Sequence, residues 1–363
     1  MQLYFLYGMV GALFLSLLCT PIVQKFAFWI GAVDQPGPRK VHTEPIARMG
    51  GLSIYIAFVL TYVAVVVFTD AVATNVGFAL VFGGGIMSLV GMLDDRFQLT
   101  PFWKLIGQTL AAVVAMYFGL KVEIITVPLT HHVIELGWFG IPITILWIVG
   151  LTNAINLIDG LDGLASGVSA IASLAIFFVS LMMGNVMIAL MALILIGAIL
   201  GFLRYNFHPA KIFMGDTGAL FLGFSLSAMS LLELKQATLV SFIIPILILG
   251  IPITDTFYAM IRRKLNRQSI VSADKNHLHH RLLSLGFTHR NAVLVIYGIS
   301  TLFACLAIFL SQSALWLVFL TVVIIVIVIE ILAEYVGLLN SKHQPLLTCM
   351  TKIARLFSFK HSK

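Results

Sequence analysis

Asn153, Asn156, Asp159 and Asp162 recur at every third position along N-A-I-N-L-I-D-G-L-D-G-L, a stretch that ends an apolar segment with two amides and two carboxylates. A plain membrane helix has no use for them, and ionisable residues bordering such segments mark functional sites. Oxygen donors of this kind suit a hard divalent cation such as Mg²⁺ better than zinc. Residues three apart are helical neighbours, yet each step drifts by roughly 60° at 3.6 residues per turn, so one narrow stripe of an unbroken helix cannot carry all four. The glycine after each aspartate therefore predicts a helix end that opens into a polar loop, where a ligand can approach the main chain.

Four other stretches carry chemistry-bearing residues. Asp94-Asp95 sets adjacent carboxylates at a helix end, ahead of Thr100-Pro101, which reads as N-cap and first residue of the next helix. The metal-diphosphate pattern D-D-x-x-D fails because position 98 is Gln98, and a capping role stays open beside a chemical one. Between Arg204 and Gly218 lie Asn206, Phe213 and Asp216, the last readable as a metal ligand or as the cap of a following helix, with Phe213 available to stack on a base. Asp34, Arg39, Lys40, His42 and Arg48 form either an anion site or an ordinary basic loop. Arg262, Arg263, Lys264 and Arg267 precede His277, His279 and His280; with no cysteine or nearby acid to complete a tetrahedral set, phosphate recognition fits this group better than zinc.

The elements that hold these residues are set by composition. Of 363 residues, 60% are hydrophobic and 10% charged, against about 25% charged in a soluble domain, so the class is an all-α polytopic membrane protein. A spanning helix needs about 20 apolar residues, which predicts about eleven, near 3–23, 49–69, 72–92, 102–118, 141–157, 164–183, 186–203, 217–232, 237–257, 291–311 and 314–335. The first reads as a spanning helix rather than a removable signal. The β-branched residues between Gly119 and Gly140 predict a small hairpin outside the bilayer.

With that count, every lysine and arginine of the 22 except Lys121 and Lys235 falls on one face, which makes the N-terminus periplasmic and the C-terminus cytoplasmic. The net charge of +7 is thus a topology signal and implies no nucleic-acid partner. The three cysteines are far apart and indicate neither a disulfide framework nor a thiolate site. Residues 1–340 read as one integral-membrane domain and 341–363 as a basic amphipathic cytoplasmic tail suited to anionic lipid.

A cytoplasm-facing cluster of cations and carboxylates, open to the bilayer, suits a reaction between a soluble phosphate donor and a lipid phosphate. The rival reading, a cation-coupled transporter, predicts charges at the bilayer midplane and inverted repeats, and neither is visible.

In order and topology, N-A-I-N-L-I-D-G-L-D-G-L, the Asp94-Asp95 pair, F-M-G-D-T-G and H-L-H-H resemble the polyprenyl-phosphate N-acetylhexosamine-1-phosphate transferases from about Asp34 to His280. The H-L-H-H loop and R-K-V-H resemble the branch that transfers N-acetylglucosamine-1-phosphate rather than a muramyl-pentapeptide. The resemblance implies transfer from UDP-GlcNAc to undecaprenyl phosphate, with Mg²⁺ as cofactor and Mn²⁺ as substitute, in the bacterial inner membrane. The product would begin a cell-surface polysaccharide such as lipopolysaccharide O-antigen, enterobacterial common antigen or teichoic acid. It implies Asp94 and Asp95 as the catalytic pair, Asp216 and Asn156 as metal ligands, and Asp159, Asp162, Asn206 and Phe213 around the nucleoside. Arg262, Arg263, His277, His279 and His280 would contact sugar and phosphate, with Asp34, Lys40 and His42 in the remaining substrate-binding loop. Expected partners are the two substrates, membrane lipids and a second copy of the chain. Asp94 reads equally as a base or as a metal-positioning group, because a phosphate monoester with a second pKa of about 6 has little proton left to lose at neutral pH.

Overall fold

Each of the eleven apolar stretches is helical in the computed structural model, which describes residues 2–36, 44–68, 74–126, 133–233, 239–267 and 277–336. The helices are α1 (Gln2–Ile30), α2 (Gly51–Phe68), α3 (Asn75–Phe97), α4 (Pro101–Tyr117), α5 (Gly140–Ile158), α6 (Leu164–Met182) and α7 (Val186–Asn206). They continue as α8 (Gly215–Glu233), α9 (Leu239–Ile248), α10 (Gly250–Leu265), α11 (Leu278–Ser284), α12 (His289–Leu310) and α13 (Leu315–Val336). Among the described residues, eight helices are long and apolar enough to cross a membrane by length and composition. The chain is an all-α, multi-pass membrane protein with very little sheet.

Three expected spans differ from those eight. Helix α4 has only 17 residues. Helix α8 begins with Asp216 in its first turn, and the stretch near 237–257 divides into α9 and α10. Pro252 explains the division: it has no N–H to donate and its ring crowds the carbonyl four residues back, that of Ile248, where α9 ends. Helix α10 then runs on to Leu265, beyond the expected end. The tail from residue 341 lies outside the described residues.

The expected hairpin is present as β3 (Ile124–Thr126) antiparallel to β4 (Val133–Glu135). A second ribbon, β1 (Val33–Asp34) with β2 (Ile46–Ala47), closes the first polar loop; two-residue strands have no periodicity to betray them. At Thr100 the backbone is extended as an N-cap should be and Pro101 follows as N1, but the threonine side chain makes no capping bond.

Helix α8 is the central column, packed by α2, α3, α5 and α6, and Ala219, Leu220, Phe221, Leu222 and Phe224 are fully buried. Helix α7 is similarly enclosed between α1, α2 and α6. Helix α13 instead leaves Phe319, Leu320, Val323, Ile324 and Ile327 exposed, as expected of a side chain stripe solvated by lipid. The polar helix ends and loops gather at the start of α8.

Candidate active site

Two carboxylates adjacent in sequence part company in space. At the end of α3, Asp95 Oδ1 accepts the Asp216 N–H at 2.9 Å, while Oδ2 accepts the Thr217 N–H at 3.0 Å and its hydroxyl at 2.7 Å. Asp95 is thus a borrowed cap for α8, satisfying N–H groups that a helix N-terminus leaves without intrahelical partners. Gly215, at φ +71°, permits this approach, because a Cβ there would stand 2.4 Å from Asp95 Oδ2. Asp94 instead accepts from Lys104 Nζ at 3.2 Å, and the same ammonium donates to Asp216. The Asn156 amide lies close enough to Asp216 to favour its charged form. Asn153 does not join them: its amide exchanges hydrogen bonds with Gln108 across α4 and α5, at 3.2 and 2.9 Å, and donates to Val149 O.

Above this acidic floor lies a cavity of about 1100 Å³. Of the residues singled out from the sequence, Asp34, Arg48, Asn156, Asp159, Asp162, Asn206, Phe213, Asp216 and His280 line it. Asp94, Asp95, Arg262, Arg263, His277 and His279 do not, and Lys40 and His42 lie outside the described residues. Asp94 reaches the cavity's edge through Lys104 and Asp216, whereas the two arginines and two histidines are buried.

One wall is a backbone zip. Phe213 N–H donates to Ala47 O, and Phe213 O and Met214 O accept from Gly50 and Gly51 N–H, all at 2.9 Å. Arg48 in the same strip faces Asp95 at 3.7 Å and Asp34 at 3.9 Å. Asn206 is committed at both ends: Oδ1 accepts from Ser166 Oγ at 2.6 Å and Nδ2 donates to Ile212 O at 3.0 Å. These bonds fix the loop, and Asn206 also lines the cavity.

The Asp159–Gly163 turn is the opposite wall. Asp162 Oδ2 accepts from His208 Nδ1 at 2.8 Å and Ala210 N–H at 3.1 Å, and the Asp162 N–H donates to His289 Nε2 at 2.9 Å. From α12, Tyr297 Oη donates to Gly163 O. Asp162, His208 and His289 could be mistaken for a metal triad, since one ligand atom from each falls within 4.8 Å of the others. But the two imidazoles stack with centroids 4.3 Å apart and planes 17° from parallel, so their in-plane lone pairs do not converge, and that of His289 already accepts an N–H. The triad is a latch on the turn. Burial, reinforced by the charges of Asp216 and Asp95, pushes the Asp159 carboxyl up to about 8.

The histidine loop packs behind that turn. Asp255 of α10 accepts from His277 Nδ1 at 2.9 Å and Leu278 N–H at 2.8 Å, which caps α11. His279 lies against Gly160, where a Cβ would come within 2.3 Å of Nε2. Burial, with His280 beside it, lowers the His279 imidazole to about 4, so it is neutral near pH 7. His277 is bonded to Asp255 and His279 is packed against Gly160, and His280 is the member of the trio that lines the cavity.

Sequence reasoning passed over Lys104, His289, Tyr297 and Asp255. Lys104 had a signal: a lone cation in the first turn of an apolar helix, one turn from Gln108. His289 and Tyr297 had none, because their partners are 127 and 134 residues away.

The donor set fits a hard cation. Asp94, Asp216 and Asn156 offer only oxygen, and they meet where a positive charge, the Lys104 ammonium, already sits.

Residues 77–233 match the model of glycosyl transferase family 4. Over 337 residues the chain is 49% identical to the probable undecaprenyl-phosphate N-acetylglucosaminyl 1-phosphate transferase of Bacillus subtilis (strain 168), covering 93% of both chains. It is 35% identical over 359 residues to the decaprenyl-phosphate N-acetylglucosaminephosphotransferase of Mycolicibacterium smegmatis, covering 90% of this chain and 87% of that one. It is 31% identical over 313 residues to the phospho-N-acetylmuramoyl-pentapeptide-transferase of Halalkalibacterium halodurans, covering 82% of this chain and 93% of that one.

Proposed function

The chain belongs to glycosyl transferase family 4, and from that premise we propose that it transfers N-acetylglucosamine-1-phosphate from UDP-GlcNAc to undecaprenyl phosphate, giving undecaprenyl-diphospho-GlcNAc and UMP. The observation that carries this reading is the meeting of Asp94, Lys104, Asn156 and Asp216 at the floor of a cavity of about 1100 Å³, ample for a nucleotide sugar.

Asp216, Asn156 and Asp94 would hold Mg²⁺, or Mn²⁺ in its place, and the ion would neutralise charge on the donor diphosphate. Phe213 and Asp159 line the cavity where the nucleoside fits, with Phe213 offering a ring face to the base. His280 and Lys211, which also line it, supply N–H donors for phosphate oxygens. Asp95 positions Asp216 by anchoring the start of α8. His277 and His279 act from behind the turn, with His277 held by Asp255 at the start of α11, and Arg262 and Arg263 lie buried at the end of α10. The lipid phosphate attacks directly, because a dianion needs no covalent carboxylate intermediate; Asp94 then serves to position and neutralise more than to deprotonate.

The proposed topology has eleven spans, with α4, α8 and the kinked α9–α10 unit added to the eight longest helices. The N-terminus and the β3–β4 hairpin would be periplasmic, and the cavity and C-terminal tail would face the cytoplasm of a bacterial inner membrane. The bias of lysines and arginines to one face supports that orientation.

Purified protein given labelled UDP-GlcNAc, undecaprenyl phosphate and Mg²⁺ is expected to release UMP and form the lipid diphosphate sugar. Absence of UMP with both Mg²⁺ and Mn²⁺ would overturn the proposal.

A further inference from the structure

Lys104 leaves the first turn of α4 and sends its ammonium between two carboxylates that belong to different helices, Asp94 of α3 and Asp216 of α8. The three side chains are largely buried, with 19%, 16% and 15% of their surface exposed. Asp95 and Asp159 bring further acid close by, since both feel the charge of Asp216. Without a cation between them Asp94 and Asp216 would repel across a poorly solvated gap.

The root of Lys104 is fixed. Gln108, one turn further along α4, is tied to Asn153 of α5 by two amide hydrogen bonds, and Asn156 lies one turn beyond Asn153. That pair sets the spacing between α4 at Lys104 and α5 at Asn156. The flexible part is the lysine's four-carbon stem, which can swing its charge through several ångströms without moving the helix.

We propose that Lys104 is a resident countercation: it holds Asp94 and Asp216 together in the metal-free protein, and it must be displaced for a divalent cation to take the same two carboxylates. Resting on the divalent-cation reading above, the inference adds that metal affinity is set by competition with a residue of the chain itself. One position cannot hold both charges. The displaced ammonium then swings toward the cavity, where it meets substrate phosphate, so that loading the site with metal also presents a cation to the substrates. A merely structural ion pair would make neither demand, because its loss would loosen the carboxylates and weaken metal binding.

The test is Mn²⁺ binding to the substrate-free protein in detergent, followed by electron paramagnetic resonance, for the wild type and for Lys104→Gln, Lys104→Met and Lys104→Arg. The glutamine variant keeps hydrogen-bond donors for both carboxylates, so it guards against misfolding of the methionine variant. Both neutral variants are expected to bind Mn²⁺ about ten-fold more tightly than the wild type, while Lys104→Arg, which keeps the charge, does not. In turnover the neutral variants should need less Mg²⁺ for half-maximal rate and show a raised KM for substrate. Neutral variants that bind Mn²⁺ as the wild type does, or more weakly, would overturn the inference and leave the metal reading standing. Failure of the wild type and all variants to bind Mn²⁺ would sink both.

Discussion

Asp95 Oδ2 takes two hydrogen bonds from Thr217, one from the backbone N–H at 3.0 Å and one from the hydroxyl at 2.7 Å, so one residue of α3 clamps the first turn of α8. Its neighbour Asp94 makes no such anchor and is held by Lys104. Substitution should separate the two. Asp95→Asn replaces a charged double acceptor with a group that has one acceptor and two donors, at a cost of about 2 kcal/mol or more in a buried site. A clear drop in the detergent melting midpoint is expected for Asp95→Asn and little change for Asp94→Asn, although both lose activity. Equal melting of the two variants would refute the division of labour.

Helix α12 reaches the Asp159–Gly163 turn twice, through His289 and Tyr297. Loosening this latch should affect binding of the donor more than the chemical step. Tyr297→Phe and His289→Ala are each expected to raise the KM for UDP-GlcNAc several-fold, about what one buried hydrogen bond contributes, with kcat changed much less. His289→Gln, whose amide oxygen can accept the Asp162 N–H, should restore most of the loss. A fall in kcat with KM unchanged would count against the latch.

Asp159, pushed up to about 8 by burial and by the negative charges of Asp216 and Asp95, is mostly protonated at pH 7 in the metal-free site. Its folded value lies above the ordinary carboxylate range, so from about pH 4 to about 8 the folded state holds a proton that the unfolded state has lost, and this group's contribution to stability declines as pH rises through that window. Were Asp216 to hold a divalent cation as proposed, the local field would be reversed and Asp159 would favour its ionised form. Calorimetry of Mg²⁺ binding at pH 7 in buffers of different ionisation enthalpy should therefore detect proton release, and Asp159→Asn should abolish most of it. A binding enthalpy independent of buffer in the wild type would disprove the coupling.

The bilayer made most of the helices legible, because crossing it demands long apolar runs and polar residues accumulate at their ends. The break after Ile248 was also written in the chain, in Pro252, but the apolar run conceals it. Within the site, spacing could not distinguish Asp94 from Asp95, since consecutive helical residues point about 100° apart and only the packing of α8 decides which one caps it. Lys104 was concealed by its charge: a lysine at a helix end serves the topological bias equally well whether or not it touches a carboxylate. Asp162 lines the cavity, but spacing could not show that its carboxylate is also engaged by His208 and Ala210, and its N–H by His289, a residue from a distant helix.

The zipped wall has a consequence for substitution. Phe213 is held in place by its own N–H and C=O, bonded to Ala47 and Gly50, so its location does not depend on what its side chain is. Gly50 has no such latitude, because a Cβ there would meet the Phe202 ring at 2.5 Å and the Phe213 carbonyl at 2.7 Å. Mutation can therefore exchange the ring that faces the cavity while the scaffold stays still. Substitution at position 213 changes what the cavity presents, whereas a side chain at position 50 would have to move the wall itself.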